Sequence, residues 1–253
     1  MINVLINGCN GKMGQEVIKR LDNYPEFSLL GGFDKENSGK FTFPVYTSFE
    51  QIKNLPNIII DFSIPDATLN VLTFAKQNKI PIVIATTGFS AKQEAIIEEY
   101  ANYIPIFKSA NMSFDINLMC KILSNIAPAL NNCDIEITET HHNKKIDAPS
   151  GTALLLANSI NNSLSNKYTY NFGRFSNQEK RSKNEIGFSS IRGGNIVGEH
   201  TVQFFGDNET FEITHKTYSR SIFADGAIKA AKFLITKPNG FYTMNDLEQK
   251  RHD

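Results

Sequence analysis

Two adjacent histidines, two lysines and an aspartate crowd into residues 139–152, which read E-T-H-H-N-K-K-I-D-A-P-S-G-T. A histidine titrates near neutrality and an ammonium carries both charge and protons, so a site built on His141, His142, Lys144 and Lys145 can bind an anion and protonate it. Pro149 stops an extended segment, Ser150 or Thr152 can cap, and the apolar run at 153–157 gives the face of a helix. The N–H groups opening such a helix, with its dipole behind them, favour a carboxylate or phosphate. Zinc is a poor fit, because neither H-E-x-x-H nor paired-cysteine spacing accompanies the histidines.

The elements that must position this cluster come next. Residues 134–140 alternate polar and apolar through Ile135 and Ile137, which predicts a half-buried strand bringing the histidines to a sheet edge and turning His141 and His142 to opposite sides. At the other end of the chain, a buried strand over 2–7 runs into Gly8-Cys9-Asn10-Gly11-Lys12-Met13-Gly14 and then a helical pattern through Val17, Ile18 and Leu21. Glycines at a strand-to-helix turn allow the tight bend and let the backbone approach a pyrophosphate at the helix start. Met13 after Lys12 rules out a Walker A loop. Cys9 within this loop is read as a small apolar filler rather than a reactive thiol.

A second strand over 27–33 ends at Asp34, about twenty residues beyond Gly14, where a dinucleotide-binding unit places the carboxylate that holds the adenosine ribose. An acid there repels a 2′-phosphate while the adjacent Lys35 attracts one, so the pair predicts tolerance of NADH and NADPH. Spacing alone leaves open that both are plain turn residues. Strands over 57–61, 81–85 and 104–107 alternate with helices over 66–78 and 91–102. The strands end in Asp61-Phe62-Ser63, in Ala85 before Thr86-Thr87-Gly88, and in Ser109-Ala110-Asn111-Met112. The alternation predicts a parallel Rossmann-type sheet with its ligand beyond the strands' carboxyl ends, where these motifs can line a nicotinamide.

After a helix over 113–130, the second half changes character. Residues 161–185 are polar and irregular, and are read as an arm without a core face. Segments 186–192, 196–205 and 211–217, separated by Gly193-Gly194 and Gly206-Asp207-Asn208, read as antiparallel strands joined by turns. An amphipathic helix over 221–235 follows, with small residues suited to packing back on the first domain. The expected fold is α/β: a dinucleotide-binding domain of residues 1–111 plus 222–253, and an α+β domain of residues 112–221 whose mixed or antiparallel sheet binds substrate and joins subunits. Residues 248–253 are read as a polar tail.

Composition sets outer limits. The 253 residues carry 26 Lys plus Arg and 26 Asp plus Glu, a formal net charge of zero, which gives no electrostatic case for nucleic acid or an acidic membrane surface. No apolar run nears the ~18 residues of a membrane span, and the N-terminus lacks a signal peptide's basic flank, so a soluble, cytoplasmic protein is expected. Cys9, Cys120 and Cys133 form no C-x-x-C, which argues against a disulfide scaffold.

Taken together, the chain resembles the dihydrodipicolinate reductases, or 4-hydroxy-tetrahydrodipicolinate reductases, of bacterial diaminopimelate and lysine synthesis. The likeness runs nearly end to end and is most specific in E-x-H-H-x-x-K-x-D-A-P-S-G-T-A at 139–153, R-G-G-N-I-V-G-E-H-T at 192–201, I-T-H-K-x-x-S-R-x-x-F-A-x-G-A at 213–227 and the closing motif at 240–247. The resemblance implies a catalytic histidine at His141, a proton donor at Lys145, and substrate contacts at His142, Gly151 and Thr152. It implies cofactor contacts at Gly8, Cys9, Asn10, Gly11, Lys12, Met13, Asp34, Lys35, Ala85, Thr86, Thr87, Ser109, Ala110, Asn111 and Met112. It further implies NADH or NADPH as cofactor, a small dicarboxylate substrate, and a homotetramer joined through the second domain's sheet; no metal is expected, on the ligand spacing above. The chain departs from the family at Ala85 for a usual glycine, Lys12 for arginine, Met112 for phenylalanine, and Arg174-Phe175-Ser176 where Arg-Glu-Gly is usual.

The implied reaction adds a hydride to an electron-poor carbon of a ring bearing two carboxylates and a conjugated imine, with Lys145 or His141 supplying a proton. Competing readings are another two-domain reductase, such as diaminopimelate dehydrogenase or aspartate-semialdehyde dehydrogenase, and a regulator that senses NAD(P)H without turning it over. The semialdehyde enzyme needs a nucleophilic cysteine, and Cys120 and Cys133 have no catalytic-looking neighbours.

Overall fold

A computed structural model of the chain describes residues 1–175 and 180–248. The expected polar tail beyond Glu248 lies outside the described residues, as does Ser176. In order the chain forms β1 (Ile2–Asn7), α1 (Lys12–Leu21), β2 (Phe27–Phe33), β3 (Val45–Tyr46), β4 (Ile58–Asp61), α2 (Pro65–Asn78), β5 (Ile82–Ile84), α3 (Ala91–Tyr100) and β6 (Pro105–Lys108). It continues through α4 (Phe114–Ile126), β7 (Asp134–His141), α5 (Gly151–Ser163), β8 (Thr169–Asn171), β9 (Glu185–Arg192), β10 (Gly198–Phe205) and β11 (Thr210–Thr217), and ends with α6 (Ser221–Leu234), β12 (Gly240–Tyr242) and α7 (Met244–Glu248). Two compact units result, residues 1–113 with 220–253, and residues 114–219.

The first unit holds a seven-stranded sheet in the order β12-β6-β5-β4-β1-β2-β3, with every pairing parallel. Strands such as β4 are fully buried on both faces, which is why they read as continuous Ile runs rather than alternating ones. Val71, Leu72 and Ala75 of α2 and Ile97 of α3 cover one face against Leu5, Ile59, Ile82, Ile84 and Ile106. On the other face, Phe107 meets Phe233 of α6 edge-on. Arg20 of α1 forks onto Asp225 of α6 with two bonds of 2.9 Å, and the Tyr24 hydroxyl donates to the same carboxylate. Strand order reverses between β1 and β4, which opens a crevice at their carboxyl ends.

The second unit holds a five-stranded mixed sheet in the order β11-β10-β7-β9-β8. The expectation that segments 186–192 and 196–205 are antiparallel neighbours is corrected here. β9 pairs parallel to β7, β10 pairs antiparallel to β7, and β7 lies between them. β7 is therefore the central strand and not at an edge. Local turn chemistry suggested a hairpin, but the apolar alternation of β7 needs partners on both sides to hide its backbone. The link at 193–197 must then cross the end of β7, and it is bonded there: Gly193 N–H donates to His141 O, and His142 N–H to Ile196 O.

Met119 and Leu123 of α4 and Leu156, Ala157 and Ile160 of α5 cover one face of this sheet. The arm reading of 161–185 also needs correction. α5 runs on to Ser163, buried Asn161 bonds the backbone of buried Tyr168 in both directions, and β8 adds a strand beside β9. Arg174 pairs with Glu136 and Glu185, and Arg181 with Asp134 and Glu136. The polar composition hid this because the segment is anchored by side-chain amides and ion pairs more than by a hydrophobic stripe.

Candidate active site

In the first unit, a crevice of about 390 Å³ is lined by Gly11, Lys12 and Met13 after β1, Phe62, Ser63, Ile64 and Pro65 after β4, and Ala85, Thr86 and Thr87 after β5. Its backbone is shaped for close approach. Gly8 has φ +80, and a Cβ there would stand 2.4 Å from Phe62 O; one on Gly14 would stand 2.2 Å from Gly8 O. Gly11 opens α1 without a capping side chain and no acidic residue sits in the first turn, so the helix start is left for an anion. Asp34 accepts from Asn10 N–H at 2.9 Å and from Lys35 N–H at 2.8 Å, which ties the end of β2 to the glycine loop. This arrangement fits a dinucleotide.

Below the crevice floor lies Asp61, fully buried, so within the expected Asp61-Phe62-Ser63 lining only Phe62 and Ser63 reach the crevice. Its carboxyl accepts from Ser63 Oγ (2.6 Å), Asn7 Nδ2 (2.7 Å), Thr68 Oγ1 (2.7 Å) and Thr86 Oγ1 (2.8 Å). Burial pushes the carboxyl up, against the pull of these donors. One side chain thereby joins the loops after β1, β4 and β5. Cys9 turns inward instead: it is buried against Gly32, and burial together with Asp34 raises its thiol to about 11, so only its backbone can meet a ligand. Met112 is also buried, and Asn111 accepts from Ser113 N–H while its carbonyl accepts from Ser109 Oγ. Ala110 is exposed at the same strand end, and Lys35 is exposed beside Asp34.

In the second unit the core-facing rows of the sheet change from apolar to polar toward the end of β7. Ile137 pairs with Phe188 and Val202, the next row is Ser190, Glu139, His200 and His215, and the last is Arg192 and His141, with Gly198 opposite on β10. Glu139 is fully buried. Arg192 forks onto both its oxygens at 2.7 and 2.8 Å, His141 Nδ1 lies 2.5 Å from Oε2, and Ser150 N–H donates to Oε1 at 3.2 Å. Burial alone would raise this carboxyl, but hydrogen bonds from Arg192, His141 and Ser190 outweigh it and hold it at about 2. His141 is pushed down, first by burial, with Lys145 and Arg192 adding to that and Glu139 opposing it.

Ser150, not Thr152, caps α5, accepting from Ala153 N–H at 3.1 Å, and its Oγ is 2.9 Å from His200 Nε2. Burial lowers His200 to about 3, and its ring meets that of His141 edge-on with centroids 5.1 Å apart. Lys145 Nζ donates to both oxygens of Asp147 at 2.8 Å. Gly151 and Thr152 form the first turn of α5, at its positive end.

Family models described as "Dihydrodipicolinate reductase, N-terminus" and "Dihydrodipicolinate reductase, C-terminus" match residues 2–112 and 115–247. The chain belongs to the dihydrodipicolinate reductase family. It is 48% identical over 250 residues to the 4-hydroxy-tetrahydrodipicolinate reductase of Caldanaerobacter subterraneus subsp. tengcongensis, covering 99% of both chains. It is 44% identical over 253 residues to that of Clostridium novyi, covering 100% of both. Among solved structures it is similar to the dipicolinate-bound dihydrodipicolinate reductase of Paenisporosarcina sp. TG-14, with a TM-score of 0.76 and 26% identity over 96% of this chain and 97% of that one. The chain is an NAD(P)H-dependent oxidoreductase of this family, and its α/β fold with a Rossmann-type parallel sheet stands with it.

Within this member of the family, the structure gathers Gly11, Lys12, Met13, Ala85, Thr86 and Thr87 into one crevice and brings His141, Lys145, Gly151 and Thr152 to one end of the second sheet. His142 follows at the same end, its backbone held by Ile196 and Lys145. Sequence reasoning missed Asp61 as a hub, Ile64 and Pro65 as lining, and Glu139, Arg192 and His200 as a framework. One signal was available: Glu139 falls on the apolar side of the alternating β7 pattern, where an acid requires a partner.

Proposed function

We propose that this chain reduces 4-hydroxy-tetrahydrodipicolinate, by way of dihydrodipicolinate, to tetrahydrodipicolinate with loss of water, in diaminopimelate and lysine biosynthesis. The observation that carries this is the gathering of a histidine, a lysine and a helix start around one buried, Arg-paired carboxylate, in a chain that matches the family in both halves. When bound, NADH or NADPH supplies the hydride that adds to an electron-poor carbon of the conjugated imine.

The protein's part is binding and proton delivery. Gly151 and Thr152 meet one substrate carboxylate with the positive end of α5, and His142 and Lys144 add donors and charge around it. His141 and Lys145 form the catalytic pair. Two of the three Lys145 ammonium protons are engaged by Asp147, which leaves the third for the substrate. In the first unit, Gly8, Cys9, Asn10, Gly11, Lys12 and Met13 cradle the pyrophosphate, Asp34 and Lys35 meet the adenosine ribose, and the segments 85–87 and 109–112 flank the nicotinamide. Asp34 beside exposed Lys35 supports acceptance of both dinucleotides, checked by comparing their dissociation constants.

The outer face of the second sheet carries Thr138, Thr140, Thr201 and Thr214 with exposed Ile191 and Phe205, and this supports a homotetramer, checked by light scattering. A reaction that consumes the soluble NAD(P)H pool is placed in the cytoplasm. The deciding experiment supplies enzymatically generated 4-hydroxy-tetrahydrodipicolinate and follows oxidation of NADH in the near ultraviolet. We expect turnover dependent on both, and no oxidation would refute the reading.

A further inference from the structure

We propose that Glu139 is the positioning residue of this site: held as a carboxylate by Arg192, it fixes His141 with its proton on Nδ1 and presents Nε2 as an acceptor, while stapling both ends of the loop that carries Lys145. The proposal rests on the reading of His141 and Lys145 as the catalytic pair.

Five donors converge on this one carboxylate, the Ser190 hydroxyl among them. Oε1 receives Arg192 Nη2 and Ser150 N–H, and Oε2 receives Arg192 Nη1 and the His141 ring. A carboxylate offers about four lone-pair sites, so all are taken and no room remains for a proton of its own. The His141 nitrogen facing it must therefore be the donor, and in the neutral ring that leaves Nε2 with a lone pair. Nε2 points toward Gly198, where a Cβ would stand 3.0 Å away, so the missing side chain keeps that nitrogen's surroundings clear. The charged and titratable groups facing the ring are Glu139 on its own strand, Arg192 from β9, Lys145 from the loop and His200 from β10. Arg192 and Lys145 both disfavour a second ring proton. The transferable proton then sits on Lys145, and His141 orients the substrate by accepting a hydrogen bond at Nε2.

The same carboxylate closes the loop. His141 ends β7, Ser150 opens α5, and Arg192 Nη2 also donates to Asp147 O at 2.7 Å, so residues 142–149 are tied at both ends and again at Asp147 to one ion pair. A carboxylate that merely neutralised Arg192 would need none of this.

The test uses the whole protein labelled with ¹⁵N, reading histidine ring nitrogens by long-range proton correlation, with His141 assigned by its loss in His141→Asn. We expect the Nδ1-protonated form for His141 in the ligand-free wild type. In Glu139→Gln, whose amide can donate to the ring, we expect the Nε2-protonated form to appear, the pH profile of kcat/KM to move, and kcat to fall roughly tenfold to a hundredfold from lost alignment, with NADH affinity within about twofold. A wild-type His141 protonated on Nε2 would overturn the proposal, as would a folded Glu139→Gln with an unchanged pH profile. Should that variant fail to fold, the wild-type spectrum decides. A wild type that shows the Nδ1-protonated ring yet oxidises no NADH would refute the proposed reaction and not the positioning.

Discussion

Lys145 carries its ammonium against Asp147, with its side chain about one-fifth exposed, so it can be reached by a ligand without being released from its loop. Lys145→Ala is expected to cut turnover by about 10²–10⁴ while NADH binds as before, the size of effect that loss of a positioned proton donor produces. Steady-state kinetics beside a fluorescence titration of NADH check it, and near-normal turnover would remove Lys145 from the mechanism. Asp61 makes a contrasting case in the other unit. Asp61→Ala takes the shared acceptor from buried Asn7, Thr68 and Thr86 and half-buried Ser63 at once, and the urea denaturation midpoint should fall by an amount equivalent to about 3 kcal/mol. NADH should bind more weakly too, because Ser63 and Thr86 line the crevice. The residue types of His141 and Lys145 made them candidates from the sequence alone. Glu139 and Arg192 did not, since an acid and an arginine 53 positions apart become one group only when β7 and β9 lie side by side.

Among the elements, the two helix starts matter most. Gly14 sits where α1 leaves the glycine loop, and Gly14→Ala would drive a methyl into Gly8 O, so α1 must shift and the crevice with it. NADH affinity should drop by at least about tenfold while the His141 ring signals in the second unit stay put; unchanged affinity would mean the loop yields easily. At α5, Ser150→Ala removes the cap at a cost of about 1 kcal/mol and also takes the hydroxyl from His200. Thermal melting should register the loss, with a rise in KM because the first turn proposed to meet the substrate frays. These starts were legible because glycine and serine act over three or four residues. The strand order of the second sheet was not, because a turn-like Gly193-Gly194 looks the same whether it closes a hairpin or crosses the end of a third strand.

Over the whole molecule, buried titrating groups set an acid limit. His200 is held at about 3 against an ordinary 6.5, so between those values the unfolded chain binds a proton that the folded one refuses. Glu139, held at about 2 against 4.5, does the same over its own interval. Both make stability rise with pH, so it should fall as pH drops below about 6.5 and go on falling toward 2. Urea denaturation followed by circular dichroism at stepped pH checks this, and His200→Gln should flatten the upper part of the curve, between 6.5 and 3. A stability flat across that range would show that His200 is solvated when folded.

What the sequence determined by itself was whatever local chemistry writes into neighbouring residues: a parallel βαβ succession, a glycine turn opening a helix, and a histidine–lysine cluster before an N-cap. What only the tertiary structure decided was which distant residues share a low-dielectric space. β7 became a central strand, and a short, polar-looking segment joined the core through Asn161 and Tyr168. Glu139 acquired its donors from β7, β9 and the start of α5. The physical reason is that a buried charge has to be satisfied by whatever the fold brings to it, and strand pairing, not chain proximity, chooses those partners.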